Sequence, residues 1–271
     1  LLHPFRRRTQ RSPWDDQEIL RAELFSVERL EQHAISLAAA QPVEARRSSH
    51  LSLDARLHDN EAVLLAAYRS IADAVDGGHP ITPAAEWLLD NYHLVEQQVR
   101  EIRVDLPPSF YRQLPKLATG PFRGYPRVFG IAWAFVAHTD SRFEPESLRR
   151  FLLAYQTVQP LTIGELWAVA ITLRIVLTEN LRRAAALIVT GRAEREAADA
   201  IADQLLGLKG QVAEPDALSR ADTPPHYSSS FAVQLVQRLR DQDPRVTPAL
   251  RWLEERLAAE GLTSDEMVRD Q

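Results

Sequence analysis

One run between two proline signals constrains this chain more than any other feature. Leu88, Tyr92, Val95, Val99, Ile102 and Leu106 recur in alternating steps of four and three. That spacing lines one face of an α-helix. Thr82-Pro83 stands in front of it as an N-cap with proline at the first helical position. Pro107-Pro108 ends it, because proline lacks the N–H and clashes with the turn before it. Glu86, Asp90, His93, Gln97 and Arg100 fall roughly opposite the stripe. A long helix buried along one face needs other elements to cover that face.

Much of the remaining sequence supplies such partners. Ile19, Leu20, Leu24, Val27 and Leu30 predict an amphipathic helix ended by Gln41-Pro42. Leu64, Ala67, Tyr68, Ile71 and Val75 predict a second, stopped by Gly77-Gly78. Ser109 to Leu117 fits one short helix. Val128 to Ala137 is almost wholly apolar; a strand is conceivable, but Gly130, Ala132, Ala134 and Ala137 suit close helix packing. Glu144-Pro145 opens a helix with Leu148, Phe151, Leu152, Tyr155 and Val158 inward, and Gln159-Pro160 closes it. Thr162 and Glu165 form a capping box directly before an apolar run that extends toward Val189. Ala193 to Leu206 continues as alanine-rich helix up to Gly207 and Gly210. Phe231 to Arg240 is amphipathic, Thr247-Pro248 opens a helix with Leu250, Leu253 and Leu257 inward, and Thr263 with Glu266 offers a last capping box.

No period-two pattern competes with these signals, and no internal repeat is visible. The sequence therefore predicts an all-α multi-helix bundle or array, its helices punctuated by proline, with two longer polar loops at Val43 to Asn60 and Gln211 to Ser230. The expected organisation is a basic arm, one amphipathic helix and a polar linker over 1–60. A main helical domain follows over 61–206, then a loop over 207–230. A C-terminal helical pair over 231–271 packs on the main domain or leads to further domains.

Composition narrows the function classes. The 271 residues are 45% hydrophobic and 25% charged with a formal net charge of -5, an ordinary globular balance that does not favour a nucleic-acid partner. There is no cysteine, which excludes disulfides and thiolate metal sites. The most apolar stretch, Leu166 to Val189, is interrupted by Arg174, Glu179, Arg182 and Arg183 and reads as a buried helix rather than a membrane span. Leu1 to Ser12 is basic but has no apolar segment of the kind a signal peptide carries. The chain begins without Met, as a fragment would.

The chemistry-bearing patterns are sparse. Asp90 and His93 stand three apart, the carboxylate-His spacing of di-metal bundles, but no second copy accompanies them, so no metal site is expected. Asp241-Gln242-Asp243 has the acid-x-acid form of nucleotide-sugar transferases but precedes Pro244 without a buried strand before it. Arg174 lies in the otherwise apolar Ala168 to Leu177, so burial there requires a partner, with Glu165, Asp90 and Asp140 as candidates. Trp87 and Tyr111, flanked by polar residues, are the aromatics best placed for exposure and sugar stacking.

The central block resembles the N-terminal region of cyclic β-1,2-glucan synthases, glycosyltransferase family 84. The likeness rests on Trp87-Leu88-Leu89-Asp90-Asn91-Tyr92-His93, Phe110-Tyr111-Arg112-Gln113-Leu114-Pro115, the run Trp133 to Phe143 that includes His138-Thr139-Asp140-Ser141-Arg142, and Leu161-Thr162-Ile163-Gly164-Glu165-Leu166-Trp167-Ala168. Phe231 to Asp241 and Thr247-Pro248-Ala249-Leu250 look similar to a following segment. The resemblance implies a parent enzyme that builds a β-1,2-glucan from UDP-glucose at the cytoplasmic face of the bacterial inner membrane. It implies transferase and membrane domains downstream in the same polypeptide. No catalytic residue carries over: Arg251-Trp252 has Pro248 where a Gln-x-x-Arg-Trp motif needs Gln. No cofactor is expected in this chain itself.

Two roles follow as expectations. In the first, an accessory module contacts the downstream domains or the glucan through a polar and aromatic set: Trp87, Asp90, His93, Tyr111, Arg112, His138, Asp140, Arg142, Glu165 and Arg174. In the second, the domain performs glycosyl chemistry or binds glycan itself, with Asp140, Glu165 or Asp90 as acid or base in one cleft.

Overall fold

The computed structural model describes residues 18–44, 52–205 and 228–239, together with residues 251, 253–255 and 258. The described residues are all-α. The helices are α1 (Val27–Ala40), α2 (Leu53–Asp76), α3 (Pro83–Asp105), α4 (Pro108–Gln113), α5 (Arg127–His138), α6 (Pro145–Gln156), α7 (Ile163–Leu205) and α8 (Ser229–Leu239). Among the described residues the β-type pairings are two isolated bridges, Val43 with Leu117 and Lys116 with Pro126. The basic arm, Asp241 to Asp243, and the Thr263 capping box lie outside the described residues.

The start signals operate as the side chains dictate. The Thr82 hydroxyl accepts from the Ala85 N–H at 3.3 Å, with Pro83 opening α3. Thr162 and Glu165 close a reciprocal capping box: the Thr162 N–H donates to Glu165 Oε2 at 2.9 Å and the Glu165 N–H donates to Thr162 Oγ1 at 3.2 Å. At the end of α2, Gly78 takes φ 71°, a left-handed conformation that glycine adopts without steric cost. The α3 stripe is buried at Leu88, Tyr92, Val99 and Ile102, and its opposite face is exposed from Glu86 through Arg100.

The chain divides into two compact units, residues 1–186 and 187–271. In the first, α5 is the centre, with Val128, Phe129, Ile131, Ala132, Phe135 and Val136 all sealed. Helices α1 and α6 pack on each other, as do α2 and α3. Gly130 lets α5 approach Gln41, since a Cβ there would stand 2.8 Å from the Gln41 amide nitrogen. In the second unit, Ala198 and Ala202 of α7 meet Phe231, Leu235 and Leu239 of α8, with Leu253.

Two sequence expectations are corrected. The amphipathic segment from Ile19 is not helical before Val27. Residues 18–26 form a strap whose N–H groups bond across the fold: Ala22 to the Ala137 carbonyl at 2.9 Å, and Phe25 to that of His138 at 3.2 Å. The Leu20 N–H donates to the Asn180 side chain. With those donors engaged elsewhere, a helix forms only after Ser26, whose hydroxyl caps it. The polar loop read through Asn60 also ends early. Ser52 caps α2 through the Asp54 N–H at 3.2 Å, and Leu53 and Leu57 enter the core from its first turns.

Candidate functional site

The ten candidate residues do not converge on one cleft; eight separate among a sealed ion pair, two cavities and a groove, and Asp90 and His93 belong to none of these. Glu165 belongs to the ion pair. Its carboxylate is fully buried. It accepts from Arg127 Nε at 2.8 Å and Nη2 at 2.7 Å, and from the backbone and hydroxyl of Thr162. Arg127 also donates to Gln159 Oε1 and the Pro160 carbonyl. Burial by itself depresses the Arg127 pKa, but the hydrogen bonds and charge of Glu165 outweigh it and the net shift is upward.

His138, Asp140 and Arg142 line one cavity of about 290 Å³ with the strap residues Phe25 and Ser26 and with Glu144 and Ser147. The His138 ring stacks on Phe25 at 3.9 Å between centroids and meets His33 edge-on at 4.6 Å. Its Nδ1 lies 2.8 Å from the Glu23 carbonyl. Burial, and then the neighbouring His138, push the His33 pKa down. Asp140 and Ser141 hold φ of 51° and 60°, strained for residues with a Cβ. That turn directs Asp140 to Arg21 at 2.9 Å and Ser141 to Asn180 at 2.7 Å.

Tyr111 and Arg112 line a second cavity, of about 270 Å³, with residues from the start of α2, the end of α3, and α7. The expected exposure of Tyr111 is corrected: the residue is 8% exposed. Lys116 lies over its ring with Nζ 3.6 Å from the centroid and donates to the Tyr111 carbonyl at 2.7 Å. Burial raises the Tyr111 pKa and pushes Lys116 down to about 8.

Trp87 and Arg174 border a groove between α3 and α7, about 250 Å³, floored by Val95, Leu177 and Leu181. Trp87 is 52% exposed. Arg174 is only half-buried and pairs with Asp105 at 2.6 Å and Glu101 at 3.4 Å. This corrects the expected partners, since Glu165 is held by Arg127 and Asp140 by Arg21. Asp90 and His93 stand exposed on α3. Among the described residues no group of three His, Asp or Glu side chains is placed to hold a metal ion, and no helix is long and apolar enough to cross a membrane.

Sequence inspection missed two groups. Glu179, sealed in the first unit, accepts from Arg56 at 2.7 and 2.8 Å, from Arg183 at 2.9 Å and from Arg182 at 3.3 Å. Its spacing of three and four to the last two arginines was the available signal. The other group is an exposed apolar stripe on the first turns of α7, where Ile163 is 74% exposed and Trp167 75%, beside Leu166 and Ala170. Steps of three and four link these residues too, but sequence alone does not say which face is covered.

No family model matches this chain. It is 37% identical over 260 residues to the cyclic beta-(1,2)-glucan synthase NdvB of Rhizobium meliloti (strain 1021). The two proteins are homologous over this stretch. The alignment takes in 94% of the present chain and 9% of NdvB, so the chain spans under a tenth of its relative's length.

Proposed function

We propose that this chain is an accessory module of a cyclic β-1,2-glucan synthase, packing against and positioning the transferase and membrane domains of the same polypeptide. The observation that carries this is the homology with NdvB along nearly the whole chain. The apolar face of α7 supports the role: Ile163, Leu166 and Trp167 stand in water, and such a patch is favourable once a partner covers it. Trp87, Asp90, His93, Arg112 and Arg142 add an exposed polar and aromatic contact surface. The parent enzyme would take UDP-glucose as donor, and the module would lie on the cytoplasmic face of the bacterial inner membrane.

A second role, glycan binding by the module itself, is favoured by the cavity beneath Arg112, which joins an apolar floor to a polar rim. Acid–base chemistry has less support. Glu165 is sealed against Arg127, and Asp140 is engaged by Arg21.

The test is deletion of this region from a complete synthase, followed by cyclic glucan synthesis from UDP-glucose in isolated membranes. Synthesis is lost while the remaining polypeptide stays at normal abundance. Undiminished synthesis contradicts the accessory role.

A further inference from the structure

We propose that the cavity beneath Arg112 is a subsite for one neutral glucosyl residue of a β-linked glucan. The choice of sugar rests on the glucan-synthase reading above; the chemistry of the cavity does not. Four helices build it, α2, α3, α4 and α7. Leu57, Ile102 and Ile175 seal its floor. Tyr111 forms a fixed wall, its side chain hydrogen-bonded to the backbone of Leu53 and its ring covered by Lys116.

The rim selects the ligand's charge. Arg103 is matched by Glu61 at 2.6 Å. The two charges left are Asp54 and Arg112, both exposed, and neither side chain has an ion-pair partner among the described residues. They are of opposite sign, so an anion or a cation gains from one and loses to the other. A wholly apolar ligand would strip water from both and replace none of it. A sugar hydroxyl both donates and accepts. The carboxylate accepts and the planar guanidinium donates, so each can bond a sugar hydroxyl. The C–H face of the pyranose then lies on the apolar floor. About 270 Å³ is near the low end for ligand pockets and suits a single ring.

The experiment is calorimetric titration of the 271-residue chain with β-1,2-linked gluco-oligosaccharides, with decanoate and phenylalanine as an anionic and a zwitterionic comparator. Saturable binding of the oligosaccharide is expected, weakened about tenfold or more in Arg112→Ala and in Asp54→Asn and unchanged in Arg100→Ala, an exposed arginine of α3 that does not line the cavity. Absence of saturable binding overturns the proposal. So does binding that both rim variants leave intact, or tighter binding of either comparator. The two proposals fail separately. A chain that binds no glucan, while its deletion still abolishes synthesis, loses the subsite and keeps the accessory role. A chain that binds glucan, with deletion harmless, loses the role and keeps the subsite.

Discussion

Arg127 and Glu165 meet fork to fork inside the first unit, Nε to Oε1 at 2.8 Å and Nη2 to Oε2 at 2.7 Å. The pair ties the start of α5 to the start of α7, and the same carboxylate completes the capping box with Thr162. Glu165→Gln leaves a buried guanidinium without its counter-charge. The expected loss is roughly 3–5 kcal/mol of unfolding free energy, read from urea denaturation. A loss below about 1 kcal/mol, the level of a surface pair, would show that the knot does not hold these helices.

Glu179 gathers three arginines and is itself sealed. Burial raises its pKa, but the hydrogen bonds from Arg56 and Arg183 outweigh that and the net shift is downward. A depressed carboxylate contributes stability that is present above its unfolded value, 4.5, and is lost as pH falls through its folded value. Glu179→Gln is therefore destabilised at neutral pH and shows a shallower decline below pH 4.5. A variant whose acid limb matches the wild type contradicts this assignment.

Lys116 behaves oppositely. Its pKa falls from 10.5 to about 8 through burial. Below pH 8 both folded and unfolded states are protonated and the burial cost is complete; above 10.5 both are neutral and it is gone. Stability thus rises as pH increases through that window, by on the order of 3 kcal/mol over the full span. Tyr155, raised to about 12 by burial, opposes this only once unfolded tyrosines ionise near pH 10. Denaturation between pH 8 and about 9.5 isolates the lysine. The slope is positive in the wild type and flat in Lys116→Met; equal slopes contradict the prediction.

Asn180 joins the strap to the Asp140–Ser141 turn by accepting from the Leu20 N–H and donating to Ser141 Oγ. Asn180→Ala leaves both partners unmatched and costs about 1–3 kcal/mol. Amide exchange at Leu20, Ala22 and Phe25 accelerates more than exchange within α5, which speeds up only by the loss of global stability. Unaltered protection at those three amides shows that the strap is held without Asn180.

Local signals were legible where the chain satisfies itself locally. The α3 stripe, the Thr82 cap and the Thr162–Glu165 box need only residues a few positions apart, and each stands as its spacing implies. The strap was illegible because the groups that prevent a helix at Ile19 lie on Ala137, His138 and Asn180, more than 100 residues away. The partners of Arg174 were illegible for a related reason. Burial of its neighbours implied burial of the arginine, whereas the long side chain reaches the α3 carboxylates at the edge. Tyr111 shows the reverse error: polar neighbours on a six-residue helix say little about which way the ring turns.

The central claim is that this helical chain serves a glucan synthase by contact, and the α7 face offers the most direct test. Trp167→Asp and Ile163→Asp alter only exposed side chains, so the chain's own stability should change by no more than about 0.5 kcal/mol. The measurement is cyclic glucan made from UDP-glucose by a complete synthase carrying both substitutions, at verified protein abundance. Synthesis falls several-fold while the fold and abundance hold. Wild-type synthesis by the doubly substituted enzyme would contradict the account.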